Sequence, residues 1–106
     1  MTSRHEHTVS VADRGLQYGD GVFETVAIHD SRPLLWDRHL SRLLEGCVKL
    51  AISPPDAQRL IDEVEAHAAR VIRGVLKLIV TRGVGGRGYG YAPDMAPTIV
   101  LTEHAM

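Results

Sequence analysis

The residues best suited to chemistry are two arginines in a glycine-rich segment. Arg82 and Arg87 lie within residues 82–90 together with five glycines, directly after a run of mostly branched apolar residues at 75–81. An arginine fork can bind a carboxylate or a phosphate through two hydrogen bonds, and glycine lets the backbone approach a ligand. The pattern therefore predicts a strand that ends in an anion-binding loop. A hairpin with two solvated arginines is the alternative that this segment alone leaves open.

A second group of polar candidates falls on predicted regular structure. His39 and Arg42 lie on an amphipathic helix predicted at 36–50, where the simplest interpretation is that they solvate its outer face. Glu24 lies in a strand predicted at 22–29, on the more apolar of its two faces. A carboxylate in that position is either at the end of the sheet in water or paired within a site.

Composition limits the possible partners. The formal net charge of −1 over 106 residues gives no global reason to expect nucleic acid or an anionic membrane. No apolar run is long enough to cross a bilayer and the amino terminus lacks the apolar core of a signal peptide, so we expect a cytoplasmic protein. Cys47 is the single cysteine and excludes an intramolecular disulfide. His5 and His7 have no third ligand nearby, so no metal site is predicted.

One domain is expected for a chain of this length. We expect residues 1–8 to be a flexible amino terminus and residues 9–106 to form a single α+β domain. The elements follow the order β-β-α-α-β-β, with a final strand at 98–102. This order predicts a two-layer sandwich, in which two helices cover one mainly antiparallel sheet.

Two finer expectations concern the second half of the chain. Ser53 is expected to cap a second helix that ends at about Val71 and carries His67 on its outer face. The strand at 75–81 is apolar at nearly every position except Lys77, so we expect a central strand covered on both faces.

Four local patterns occur in a fixed order and together resemble a known family. They are Asp13-Arg14-Gly15 with the Tyr-Gly-Asp-Gly-Val-Phe-Glu-Thr of residues 18–25, then His39-Leu40-Ser41-Arg42-Leu43, then the strand and arginine-glycine turn of residues 76–83, and then Gly86-Arg87-Gly88-Tyr89. In this order they are similar to the amino-terminal domain of the class IV (fold type IV) pyridoxal-phosphate enzymes. The resemblance covers nearly the whole chain from about Val9, and it implies that the domain at 9–106 is the amino-terminal part of a two-domain enzyme.

Within that superfamily the chain is most similar to aminodeoxychorismate lyase. The lyases carry an arginine-glycine turn followed by Gly-Arg-Gly-Tyr, as residues 86–89 read here. The D-amino-acid aminotransferases have a histidine two residues after the corresponding arginine, where this chain has Tyr89. Branched-chain or D-amino-acid aminotransferase remains an alternative. So does a stand-alone, non-catalytic module for dimerisation or anion binding.

The resemblance implies roles for individual residues. Arg42 matches the arginine that binds the phosphate of pyridoxal 5′-phosphate, and Arg87 matches the position that meets a substrate carboxylate. Phe23 and Tyr89 would line the substrate side of the pocket. Lys77 and Arg82 could assist an anionic substrate, although we favour structural roles for both.

The resemblance also implies a reaction and a missing residue. The lyase uses pyridoxal phosphate as an electron sink and releases pyruvate while forming 4-aminobenzoate, a step of folate biosynthesis. Neither Lys49 nor Lys77 matches the family's Schiff-base lysine, so this lysine is expected downstream of Met106 and the given chain is expected to be inactive alone. A homodimer acting on a small carboxylate substrate is implied as well.

Overall fold

The computed structural model describes residues 8–85 and 95–105, which form a four-stranded sheet and two long helices. Residues 1–7 lie outside the described part, so the expected flexible amino terminus stays a prediction. In chain order the elements are α1 (Arg14–Tyr18), β1 (Gly21–His29), β2 (Arg32–Pro33), α2 (Trp36–Lys49), α3 (Ala57–Val71), β3 (Gly74–Thr81) and β4 (Thr98–Ala105).

The sheet has the order β2-β1-β3-β4, and every neighbouring pair is antiparallel. β1 and β3 pair along nearly their whole length, from Gly21 opposite Thr81 to Ile28 opposite Gly74. β2 pairs with only Ile28 and His29 of β1. The predicted α+β sandwich of a mainly antiparallel sheet with two helices is thus confirmed.

One face of the sheet packs on α2 and α3, because alternate residues of the strands point to the same side. Their side chains form the core together with the inward stripes of the two helices. Its buried members include Val26, Ile28, Leu76, Leu78 and Val80 from the strands and Leu43, Cys47, Leu60, Val64 and Ala68 from the helices. Burial raises the pKa of the Cys47 thiol, as expected for a cysteine that acts as a small apolar residue.

The expectation that β3 is covered on both faces is wrong. β3 is central in the sheet, but its burial alternates between buried and half-buried residues, since the helices cover one side only. Within the described residues the second face carries Lys77, Ile79 and, on β1, Phe23, which is 59% exposed. Although β3 has apolar residues on both sides, helices of this domain cover only one of them. The uncovered apolar face is a surface on which further residues can pack.

The second long helix begins later than its sequence suggests. Asp56, not Ser53, is the N-cap of α3, and its carboxylate accepts hydrogen bonds from the backbone N–H groups of Gln58 and Arg59 at 3.0 and 3.3 Å. Aspartate is as good a cap as serine, and the Pro-Pro pair between the two candidates precedes the helix. The end of the helix at Val71 agrees with the prediction.

His67 is buried, contrary to its predicted outward position. Its side chain lies between α3 and β4, where Nδ1 contacts the carboxylate of Glu103 and Arg70 also donates to that carboxylate. The helical spacing of α3 predicts an outward position for this histidine. The prediction fails because the partner Glu103 lies on a strand far along the chain, which the pattern of α3 cannot show.

No helix in the described ranges is both long enough and apolar enough to cross a membrane.

Candidate functional site

Glu24 is the centre of a polar cluster between β1 and α2. The residue is only 6% exposed, and both of its carboxylate oxygens accept hydrogen bonds. Arg42 donates from Nε to Oε2 at 2.9 Å and from Nη2 to Oε1 at 2.8 Å. His39 Nδ1 lies 2.6 Å from Oε1, and because an ionised carboxylate can only accept, this nitrogen carries the donated hydrogen. Of the two sequence interpretations of Glu24, pairing within a cluster is the correct one.

The charges of this cluster stabilise each other. The hydrogen bond from Arg42 lowers the pKa of Glu24 and, with the bond from His39, outweighs the opposing effect of burial. The same interaction raises the pKa of Arg42. Glu24 is therefore ionised at neutral pH although it lies at the covered face of the sheet.

Arg42 is fixed at one side and open at the other. Its side chain is 72% exposed, whereas the side chain of Glu24 is 6% exposed. Nε and one hydrogen of Nη2 are used by Glu24, so Nη1 and the second hydrogen of Nη2 remain able to meet a ligand. This side lines an open cleft of about 660 Å³, together with His39, Arg38, Ser41 and Glu45 along α2, and Leu35 and Asp37 at its start.

Phe23 lies on the opposite face of β1 from Glu24, because neighbouring residues of a strand point to opposite sides. The Nζ of Lys77 is 4.8 Å from the centroid of the Phe23 ring, a cation–π contact on the uncovered face. Phe23 also lines an apolar groove of about 450 Å³ with Leu16, Ile79 and Val100. The structure therefore places Phe23 and Arg42 on different sides of β1.

Two of the predicted site residues lie outside the described part of the chain. Arg87 and Tyr89 fall within residues 86–94, and their predicted contact with substrate stays a prediction.

Arg82, the first residue of the glycine-rich segment, belongs to an ionic network that the sequence analysis did not predict. Arg82 donates to both oxygens of Asp20, at 2.7 and 3.2 Å, and to the backbone carbonyls of Leu50 and Ala51 at 2.6 and 2.9 Å. Arg14, which is 3% exposed, donates to Asp20 at 3.1 Å. Arg82 is thus engaged within the fold and joins the end of β3 to the segment after α2. The structural role favoured from the sequence agrees with this geometry.

Two features of the sequence could have indicated this network. Asp20 stands between two glycines and Arg14 follows Asp13, and both stretches belong to the patterns that carry the family resemblance. In the structure Asp13 caps the short helix α1 by accepting from the backbone N–H of Gly15 at 2.8 Å. Charged residues beside glycines indicate an ion pair only when their partners can be identified. Here those partners lie far along the chain.

Three carboxylates predict how stability depends on pH. Burial raises the pKa of Asp20 and of Glu103, but their arginine hydrogen bonds outweigh it, and Glu24 has a lowered pKa as well. A lowered folded pKa contributes stability that is fully present above the unfolded pKa, about 4, and is lost as pH falls through the folded pKa. We therefore expect the free energy of unfolding to decrease steadily below about pH 4.5.

Urea unfolding at a series of pH values between 6 and 3 measures this dependence. Glu65→Gln, at an exposed position of α3, serves as the control and should leave the slope unchanged. Glu103→Gln should make the slope shallower. A free energy of unfolding that stays constant down to pH 3 would contradict the ion pairs.

The chain is similar to one protein family and to several solved structures. The family model described as amino-transferase class IV matches residues 21–106. The crystal structure of 4-amino-4-deoxychorismate lyase from Pseudomonas aeruginosa is 49% identical, with a TM-score of 0.85, over 96% of this chain and 37% of that chain.

Two aminotransferases are also similar. The pyridoxal-phosphate-bound form of a hypothetical aminotransferase from Mycobacterium tuberculosis is 28% identical, with a TM-score of 0.82, over 98% of this chain and 36% of that one. The D-alanine aminotransferase of Listeria innocua is 32% identical over 101 residues, which are 92% of this chain and 35% of the relative.

This chain spans about a third of the length of the curated relatives it matches. The matched residues run from β1 to the end of the chain and include Glu24, His39 and Arg42. The order of motifs, the fold and the matched family model agree, and the chain belongs to the class IV aminotransferase family.

Proposed function

We propose that this chain is the amino-terminal part of a pyridoxal-phosphate-dependent aminodeoxychorismate lyase, which converts 4-amino-4-deoxychorismate to 4-aminobenzoate and pyruvate. The observation that carries this choice is the 49% identity with the lyase of Pseudomonas aeruginosa over 96% of the chain. The D-alanine aminotransferase of Listeria innocua, at 32%, is clearly more distant.

The residues around Arg42 fit the phosphate of the proposed cofactor. A phosphate needs charged donors that point outward from a fixed support, and the guanidinium of Arg42 is held from behind by Glu24 with its other donors exposed. Pyridoxal phosphate, when bound, supplies the electron sink that removal of the pyruvate group requires. Arg42 would hold the phosphate end and so fix the position of the cofactor ring relative to this domain.

Other residues of this chain would bind the substrate. Phe23 offers an exposed aromatic face beside the apolar groove, where the ring of a substrate could pack. Arg87 would pair with a substrate carboxylate and Tyr89 would line the same side, as the resemblance implies. Neither Lys49 nor Lys77 matches the family's Schiff-base lysine, so the proposal assigns the catalytic lysine to residues beyond Met106, as the resemblance implies. The complete enzyme would be a cytoplasmic homodimer.

The complete enzyme implied by this proposal can be tested directly. Incubated with 4-amino-4-deoxychorismate, it should release pyruvate and 4-aminobenzoate in equal amounts, and removal of pyridoxal phosphate should abolish both products until the cofactor is restored. The same preparation is offered D-alanine or branched-chain amino acids with 2-oxoglutarate as a comparison.

Transamination without release of 4-aminobenzoate would establish the aminotransferase alternative. The observation behind this alternative is the similarity to D-alanine aminotransferase. Absence of both reactions in cofactor-loaded protein would instead support a non-catalytic module.

A further inference from the structure

Glu24 is a charged residue in a position that normally holds an apolar one. It shares the covered face of β1 with Val22, Val26 and Ile28, the latter two of which are at most 3% exposed. Burying a carboxylate is costly unless hydrogen-bonded partners compensate it. The partners that the structure shows are His39 and Arg42, both from α2. Glu24 therefore links the sheet to one face of that helix.

The geometry of the link determines where the guanidinium of Arg42 points. Two bonds to the two oxygens of Glu24 hold the plane of the guanidinium, whereas a single bond would let it rotate. An exposed arginine without such a support loses much side-chain freedom when it binds a ligand. Arg42 has already lost that freedom before any ligand arrives, although 72% of its side chain is exposed.

His39 is a second support for the carboxylate. Its Nδ1 donates to the same oxygen, Oε1, that accepts from Arg42 Nη2, and its side chain is only 18% exposed. His39 and Arg42 are separated by three positions of α2, a spacing that places both on one face of a helix. The carboxylate is thus enclosed by donors and cannot turn away from Arg42.

We propose that Glu24 is a positioning residue, which fixes the guanidinium of Arg42 in the orientation that binds the cofactor phosphate. This inference rests on the proposed function, in which Arg42 contacts that phosphate. Glu24 acts through Arg42 and does not touch the phosphate itself.

Two effects of Glu24 on phosphate binding have opposite signs, and this makes the inference testable. Its negative charge repels a phosphate, so removal of the charge alone would tighten binding. Its hydrogen bonds orient Arg42, so removal of the bonds would weaken binding. In Glu24→Gln the charge is lost, and the amide nitrogen can no longer accept from Arg42 or His39. The direction of the change shows which effect dominates.

The experiment measures the dissociation constants of pyridoxal phosphate and of pyridoxal for the cofactor-free complete enzyme. We expect Arg42→Ala to raise the dissociation constant of pyridoxal phosphate about 10- to 100-fold and Glu24→Gln to raise it about 3- to 10-fold. Pyridoxal lacks the phosphate, and its affinity should change less than twofold or so in both variants. In the double variant Glu24→Gln should cause no further weakening, because its weakening effect acts through Arg42.

Glu45→Gln is the control for charge alone. Glu45 lines the same cleft and is exposed, so the loss of its charge should tighten pyridoxal phosphate slightly if it changes the affinity at all. Arg42→Lys provides a second test that leaves the buried carboxylate in place. Lysine keeps the positive charge but cannot make the two-atom bond, so this variant should bind pyridoxal phosphate more weakly than the unaltered enzyme and more tightly than Arg42→Ala.

The outcomes separate the two proposals. If Arg42→Ala leaves the ratio of the two dissociation constants unchanged, the assignment of Arg42 to the phosphate is wrong. If Arg42→Ala weakens pyridoxal phosphate but Glu24→Gln leaves it unchanged or tightens it, the positioning role alone is wrong. Should Glu24→Gln fail to fold, affinity in Arg42→Lys equal to that of the unaltered enzyme would overturn the inference.

Discussion

Replacing Arg82 by leucine is expected to lower the free energy of unfolding by about 3–5 kcal/mol, the usual cost of removing one partner from a buried ion pair. The side chain of Arg82 is 7% exposed and that of Asp20 is 16% exposed, so water cannot easily replace the lost guanidinium. The carbonyls of Leu50 and Ala51 would lose their donors at the same time. Arg14 would remain as a partner of Asp20, but a single bond cannot replace the fork.

Urea unfolding measures this loss as a lower midpoint with an unchanged slope. Arg73→Leu is the matched control, because Arg73 is exposed between α3 and β3 and its loss should change stability by no more than about 0.5 kcal/mol. Arg82→Lys should fall between the two, since it keeps the charge and loses the planar fork. A midpoint in Arg82→Leu equal to that of Arg73→Leu would show that the network adds no stability.

Gly83→Ala is expected to destabilise the fold by about 2–6 kcal/mol, as the sum of backbone strain and steric overlap. Gly83 has a φ of 106°, a conformation that favours glycine. A β-carbon added there would lie 2.0 Å from the backbone oxygen of Ala96, far inside van der Waals contact. Since this neighbour is backbone, the overlap can be relieved only by moving the chain just before β4.

Gly19→Ala separates the two causes. Gly19 also has a positive φ, 66°, but its added β-carbon would meet no atom within 4 Å, so only the backbone cost of about 1–2 kcal/mol applies. Thermal or urea unfolding of both variants under one condition gives the difference. Equal losses in the two variants would show that the close approach of Ala96 has no energetic consequence.

The regular elements could be predicted because their signals are local. The alternation of β1 and the helical spacing of α2 depend on neighbouring residues, so the predicted bounds at 22–29 and 36–50 differ from the observed ones by only one residue. The predicted start of α3 was wrong because Ser53 and Asp56 are both good N-cap residues. Local chemistry could not choose between them.

The pairing of charges could not be predicted in the same way. Glu24 and Arg42 are joined only when α2 packs on β1, and His67 finds Glu103 only when β4 completes the sheet. The sequence pattern showed that Glu24 needed a partner without showing which one. Only the order of motifs, through its family resemblance, connected Arg42 with a phosphate.

The uncovered face was missed for a related reason. Apolar residues on both sides of β3 indicate that both sides avoid water in the working protein, but they do not say what covers each side. The helices cover one side, and the other carries Phe23 and Lys77 among the residues that the structure describes. Under the proposed function this second face, which carries Phe23, would be covered by a substrate and not by helices of this domain.

Among the contacts that the structure describes, the network of Arg82 has no residue in common with the pair of Glu24 and Arg42. The end of β3 and the arginine of α2 are therefore each held by a carboxylate of their own, Asp20 for Arg82 and Glu24 for Arg42. Under the proposed function, substitutions at Arg87 and Tyr89 should therefore change substrate preference while the contact between Arg42 and the cofactor phosphate is kept.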